Sequence, residues 1–139
     1  MNIKALLNPL VIGRPTIPGV DLSRSDLQEA DLSRANLKAK KLLWANLEKA
    51  NLRWSKLRGA DLRAANLSHA NLSHADLSYA NLSYANLTAA NLYGANLSHA
   101  NLSYANLKAA DLCQARLKQA DLTGAKLNQT ILPSGKIHN

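Results

Sequence analysis

The chain has 139 residues, enough for one domain, and 17 Lys and Arg against 9 Asp and Glu give it a net charge of +8. No apolar run approaches the ~20 residues of a membrane span. A single cysteine, Cys113, excludes an internal disulfide. These features argue against a transmembrane protein and against a disulfide-stapled secreted domain, so we expect a cytoplasmic protein.

Residues 1–19 differ in character from everything that follows. Pro9, Pro15 and Pro18 argue against a continuous helix here. Leu6 and Leu10 stand among several apolar residues, and the segment is too apolar for a free tail. We predict a cap that covers the first turn of the structure behind it. A partner-binding or dimerisation segment is the alternative.

A ladder of leucines occupies most of the chain. From Leu22 to Leu132 every fifth residue is leucine, 23 times without insertion or deletion. The residue two before the leucine is Ala in 18 repeats, and the residue directly before it is Asn or Asp in 18 repeats. The two residues after the leucine vary freely. This pattern predicts that two side chains of each repeat point inward and three point outward.

A period of five residues fits neither a helix nor a flat strand. At about 100° per residue, successive leucines would lie roughly 140° apart around a helix. In a flat strand, an odd period would send successive leucines to opposite faces. The leucines stay inside only if the chain turns a corner in every repeat. Asn and Asp favour such turns because their side chains bond their own backbone. The sequence therefore predicts a solenoid.

The repeated A(D/N)LXX motif, as in Ala65-Asn66-Leu67-Ser68-His69, resembles the pentapeptide-repeat proteins over residues 20–134. The resemblance implies an all-β fold, a right-handed quadrilateral parallel β-helix with four repeats per coil and therefore just under six coils. The predicted organisation is an N-terminal cap at 1–19, the β-helix at 20–134 and a C-terminal tail at 135–139. A turn signal at 133–136 is expected to fold Ile137 back over the final coil.

The positive charge is concentrated in one segment. Residues 34–63 contain nine Lys and Arg against two acids, whereas residues 64–107 contain no Lys or Arg. Lys40 takes an inward position, so we expect its side chain to turn outward or the corner to bulge. Stacking of residues twenty apart would put Arg34 over Trp54, where a cation–π contact is expected, and Tyr79 beneath His99. The candidate interaction surface consists of Lys38, Lys40, Lys41, Trp44, Arg53, Trp54, Lys56, Arg58 and Arg63.

No catalytic or cofactor site emerges from the sequence. His69, His74 and His99 are expected on three different faces, too far apart to bind one metal ion. The fold supplies no cleft and the sequence supplies no nucleophile with a nearby base. We therefore expect neither an enzyme nor a cofactor.

Several functions remain open. The first hypothesis is a rigid scaffold or protein–protein interaction module. The alternative is a binder of nucleic acid or another anionic surface through residues 34–63. Resemblance to family members that mimic DNA and inhibit gyrase gives a third hypothesis. The charge of +8 argues against it, because such a mimic needs acidic faces. Open coil ends also allow an end-to-end homodimer.

Overall fold

The computed structural model describes residues 20–139. The predicted cap at 1–19 therefore lies outside the described residues. Within residues 20–139 the backbone forms no helix and no strand longer than a single bridge residue. Parallel bridges join residues twenty apart, the first from Asp26 to Asn46 and the last from Asp111 to Ile131. Four repeats therefore make one coil, and each coil lies on the one before it.

Each repeat turns its corner at the two residues that follow the leucine. In the repeat of Leu67, the N–H of Ala70 donates to the Leu67 carbonyl at 3.0 Å, and Ser68 and His69 form the turn. His69 has φ of 58° and is one of 19 non-glycine residues within residues 20–139 that adopt this left-handed conformation. A positive φ at the third residue is typical of a type II turn. Each non-glycine residue there costs about 1–2 kcal/mol, so stacking must offset strain at every corner.

The asparagine and aspartate side chains connect the corners to the stack. The Asn66 side-chain oxygen accepts a hydrogen bond from the Ser68 N–H at 3.2 Å. The Asn66 amide donates to the Asn46 side-chain oxygen at 3.3 Å, and the Asn86 amide donates to Asn66 at 3.1 Å. The predicted bonding of these side chains to their own backbone is confirmed. These Asn and Asp residues are the bridge residues at the centre of each face. Their side chains accept a hydrogen bond from the N–H of the residue two positions later, the first residue of the turn.

The leucines and alanines fill the interior, as the repeat pattern predicts. The leucines from Leu27 to Leu112 are fully buried, and the alanines two residues before them are nearly so. In the last coil Leu117, Leu122 and Leu127 are only partly buried, because no described coil covers them. The leucines and alanines of all four faces thus form one continuous core that runs along the rod.

The described chain ends in a short hairpin. Ile131 and Ile137 form an antiparallel bridge, and the Leu132 N–H donates to the Lys136 carbonyl at 2.7 Å. The chain therefore reverses where the turn signal predicted. Ile137 is 61% exposed, however, so the expectation that it covers the final coil is wrong. The bridge places Ile137 beside Ile131, at the rim of the coil.

Candidate interaction surface

One of the four faces of the rod gathers most of the candidate residues. Its central column of bridge residues is Asn36, Lys56, Asp76, Asn96 and Arg116. We name its first two coils, residues 33–39 and 53–59, the basic face. This part of the chain contains no Asp or Glu and five exposed cationic side chains: Arg34, Lys38, Arg53, Lys56 and Arg58.

No cation of the basic face forms an ion pair in the part of the chain that the structure describes. Within residues 20–139 the ion pairs are Lys49 with Glu29 at 3.9 Å and Arg63 with Asp61 at 2.8 Å. Neither pair includes a cation of the basic face. Five like charges on two coils create a local positive potential that attracts an anionic partner.

The first corner of the basic face carries an exposed tryptophan. The indole of Trp54 is 48% exposed and stacks on His74 with ring centroids 4.3 Å apart and planes at 10°. The ring of Tyr93 meets His74 edge-on at 5.5 Å. Trp54 and His74 are twenty residues apart, so the coil register itself produces the stack. We name this corner the Trp54 corner. It consists of residues 53 and 54 and of the residues twenty positions before and after them, 33, 34, 73 and 74.

The opposite corner of the basic face carries a second stack. The Arg58 guanidinium lies 4.7 Å from the centroid of the Tyr79 ring, and Tyr79 stacks on His99 at 4.6 Å. The predicted stacking of Tyr79 and His99 is confirmed. The cation–π contact in the described part of the chain is made by Arg58, whereas it was expected between Arg34 and Trp54. The Tyr79 ring is therefore stacked between Arg58 and His99, and neither side of the ring is open.

Arg34 and Trp54 instead line a cleft together. The cleft has a volume of about 270 Å³, and its other walls are Ser33, Asn51 and Arg53. It therefore brings two guanidinium groups and an aromatic ring to one place at the Trp54 corner. Arg34 was not among the residues predicted from the sequence to form the interaction surface. Its position twenty residues before Trp54, which is one coil away, is the feature of the sequence that could have identified Arg34.

Lys41, Trp44 and Arg63 lie on the next face and its far corner. Lys41 is bridged to Asp61, and Arg63 donates from Nε and Nη2 to the two carboxylate oxygens of Asp61, both at 2.8 Å. These hydrogen bonds hold the pKa of the Asp61 carboxyl below its usual range. The pair largely neutralises Arg63. Trp44 is 60% exposed but lies at a different corner from Trp54.

Lys40 is not part of the surface. It is only 8% exposed and keeps the inward position of its repeat. Its N–H donates to the Leu37 carbonyl at 3.2 Å, and Ala39 has φ of 52°, so the corner before it is regular. The expectation of an outward-turned side chain or a bulged corner is therefore wrong. With Val20 and Asp21, Lys40 lines a cleft of about 190 Å³.

The comparison with protein families agrees with this geometry. The family described as "Pentapeptide repeats" matches the chain in 8 copies, over residues 19–53, 45–83, 55–93, 80–119 and 90–129. The chain belongs to the pentapeptide-repeat family. Members of this family form right-handed quadrilateral β-helices. The resemblance inferred from the A(D/N)LXX motif is therefore confirmed.

Several pentapeptide-repeat proteins of known structure are similar to the chain. HetL, involved in regulation of heterocyst differentiation in the cyanobacterium Nostoc sp. strain PCC 7120, is 35% identical, with 86% of this chain and 71% of HetL covered and a TM-score of 0.38. A protein of the Arabidopsis thaliana thylakoid lumen is 33% identical, with 82% and 69% covered and a TM-score of 0.43.

QnrB1, a plasmid-mediated fluoroquinolone resistance protein, is 22% identical, with 73% of this chain and 78% of QnrB1 covered and a TM-score of 0.28. At this identity the likeness concerns the fold alone. The comparison with curated proteins gave no match.

Pentapeptide-repeat proteins are generally non-catalytic structural or interaction proteins. In the part of the chain that the structure describes, no group of three His, Cys, Asp or Glu side chains lies close enough to hold a metal ion. The same residues include no helix long and apolar enough to cross a membrane.

Proposed function

We propose that this pentapeptide-repeat protein is a non-catalytic interaction module, a rod of just under six coils that binds an anionic partner through its basic face. The observation that carries the proposal is the convergence of five cations on two adjacent coils of one face, where no described ion pair engages them: Arg34, Lys38, Arg53, Lys56 and Arg58. Regular backbone hydrogen bonds between stacked coils hold the rod in one register. The cations therefore stand at fixed spacing before the partner arrives, which lowers the entropic cost of binding.

An acidic protein surface is the first kind of partner that suits this face. Charge complementarity between two rigid surfaces raises the association rate and fixes their register. The interaction requires no pocket and no catalysis. A cytoplasmic location is part of the proposal, in keeping with the lone, partly exposed Cys113.

A specific observation favours nucleic acid as a second kind of partner. The face combines its cations with the 48% exposed Trp54, and a positively charged surface with aromatic rings is typical of proteins that bind single strands. Mimicry of DNA toward a topoisomerase is not supported, because it needs the opposite charge on the rod.

The proposal is tested by the binding of labelled poly-L-glutamate at low and high salt, measured by fluorescence anisotropy. The variant Lys38→Ala/Lys56→Ala/Arg58→Ala removes three charges from the basic face. The control Lys108→Ala/Lys126→Ala/Lys136→Ala removes three exposed charges elsewhere. We expect the first variant to bind about tenfold more weakly. Each exposed contact contributes up to about 0.5 kcal/mol, and the loss of three such contacts corresponds to about a tenfold change in affinity. Equal losses in both variants would show that net charge alone attracts the polymer, and would refute the proposal.

A further inference from the structure

We infer that the cleft at the Trp54 corner binds a nucleotide unit, with the base stacked on the indole of Trp54 and the phosphate held by Arg34 and Arg53. This inference rests on the proposed function and names the ligand of one part of the basic face. The shared chemistry is that of a free nucleotide or of one unit in a single strand.

The two faces of the Trp54 ring have different surroundings. One face is covered by His74, which lies parallel to it at 4.3 Å. The cleft of about 270 Å³ lies between Trp54 and Arg34 of the preceding coil. A flat ring that enters the cleft would extend the existing stack by one member. Stacking on an exposed aromatic side chain is tolerant of base identity, because every base has a π-face.

Other exposed aromatic rings do not offer this arrangement. Tyr79 is 53% exposed, but Arg58 covers one face of its ring and His99 covers the other. Tyr84 and Tyr104 stack on each other at 5.1 Å, and no cation of the basic face is on their corner. On the basic face, Trp54 is therefore the exposed ring that lines a cleft together with two guanidinium groups.

The cleft has donors for a phosphate group. Neither Arg34 nor Arg53 pairs with a described carboxylate, and both guanidinium groups can bind a phosphate through two parallel hydrogen bonds. Asn51 is already engaged, since its amide donates to Asp31 at 3.1 Å and its oxygen accepts from the Arg53 N–H at 3.2 Å. The carboxylate of Asp31, near the cleft, disfavours an anion, so one nucleotide unit alone should bind weakly.

A single strand gains further contacts across the face. Lys56 lies at its centre, and Lys38 and Arg58 lie at the opposite corner. Successive phosphates of a strand that starts in the cleft can meet these cations one after another. A duplex gains only the phosphate contacts, because its bases are already stacked on each other and present no free ring face.

The experiment uses Trp44→Phe protein, in which Trp54 is the sole tryptophan. Its fluorescence is followed on addition of oligo(dT), of an abasic oligomer of equal length and of thymidine monophosphate. We expect oligo(dT) to quench Trp54 and to bind at least about fivefold more tightly than the abasic oligomer. Quenching by the monophosphate at concentrations similar to those of oligo(dT) would support the cleft and identify a free nucleotide as its ligand.

The matched variants are Trp54→Ala and Trp44→Ala, compared by anisotropy with labelled oligomers. Alanine already occupies the same position in four repeats, at Ala39, Ala64, Ala89 and Ala109, so both variants should fold. We expect Trp54→Ala to abolish the preference for oligo(dT) over the abasic oligomer and Trp44→Ala to leave it unchanged. Equal binding of the two oligomers by the unaltered protein would overturn the inference while leaving the anionic-partner proposal intact. If the protein binds neither oligomer and also fails to bind poly-L-glutamate, the inference and the anionic-partner proposal are both overturned.

Discussion

The imidazole of His74 lies where residue 94 would carry its side chain. A Cβ on Gly94 would be 2.7 Å from Nδ1 and 2.9 Å from Cε1 of His74. Gly94 has φ of 65°, a conformation that 19 non-glycine residues adopt at other described corners, so its backbone alone does not require glycine. The close approach does. Glycine at 94 thus leaves room for the ring that stacks beneath Trp54.

Gly94→Ala should therefore destabilise the protein more than Gly59→Ala. Both substitutions place alanine at a positive φ, but a Cβ on Gly59 meets nothing within 4 Å. Only Gly94→Ala forces the His74 ring away from Trp54, which costs about 1 kcal/mol of aromatic stacking. The free energy of unfolding, measured in urea for both variants, checks this. Losses that agree to within about 0.3 kcal/mol would contradict it.

Ser55→Ala should stabilise the protein or leave its stability unchanged. Ser55 occupies the inward position that is usually alanine, is 1% exposed, and has a buried hydroxyl without a hydrogen-bond partner. Removing this hydroxyl relieves a desolvation penalty of about 1 kcal/mol or more.

Thr130→Val is the matched comparison for Ser55→Ala. Thr130 occupies the same inward position and is fully buried, but its hydroxyl donates to the Leu107 carbonyl at 2.7 Å. This substitution should lower the free energy of unfolding by about 1 kcal/mol, because it breaks a buried hydrogen bond. Thermal unfolding of both variants distinguishes the two cases. A destabilised Ser55→Ala protein would show that the serine hydroxyl has a partner.

The pair of Asp61 and Arg63 should make stability depend on pH in the acid range. Hydrogen bonds from Arg63 lower the pKa of the Asp61 carboxyl from 3.8, so its stabilising contribution is complete above that pH and is lost as the pH falls through the lower folded pKa. Asp61→Asn keeps an oxygen acceptor for the Arg63 N–H but removes the charge. Since the Arg63 side chain is 50% exposed, we expect a loss below about 1 kcal/mol at neutral pH.

Urea unfolding of Asp61→Asn and the unaltered protein at neutral pH and well below pH 3.8 provides the measurement. The difference between them should shrink as the pH falls, because the carboxyl becomes protonated in both folded and unfolded chains. A difference of the same size at both pH values would assign the effect to something other than the ion pair.

The sequence was sufficient to predict the repeat, the inward side chains and the register of stacked columns. Leu67 and Ala65 are buried because a strict period of five keeps leucine inside only if the chain turns a corner in every repeat. The stacking of Tyr79 on His99 followed from the resemblance, which implies four repeats per coil. The left-handed corners were not predicted. Residues such as Trp54 and His69 do not favour a positive φ, and the stacked coils impose it on them.

Details of the candidate surface also depended on the structure. The four repeats per coil that the resemblance implies place Arg34 and Trp54 in one column, but the direction of a long side chain decides whether they form a stack or a cleft. Lys40 was expected outside because a buried ammonium group is costly. It is inside because the regular backbone of its corner directs that position toward the core.

Lys56→Asn should stabilise the rod and weaken its binding of anions. Lys56 lies between Asn36 and Asp76 in a column of bridge residues, at a position that is Asn or Asp in 18 of 23 repeats. An asparagine here would accept the N–H of the residue two positions on and donate to Asn36, as Asn66 does in its own column. These hydrogen bonds should add about 1 kcal/mol to the free energy of unfolding.

Arg116→Asn is the control, because Arg116 lies in the same column but outside the basic face. It restores the same kind of hydrogen bonds and removes the same charge. We expect both variants to gain stability in urea, and Lys56→Asn alone to bind oligo(dT) or poly-L-glutamate a few-fold more weakly. That result would mean that lysine at this position serves binding at the expense of the stack, a common conflict between stability and function. Equal binding by the two variants would show that Lys56 is only a departure from the repeat pattern.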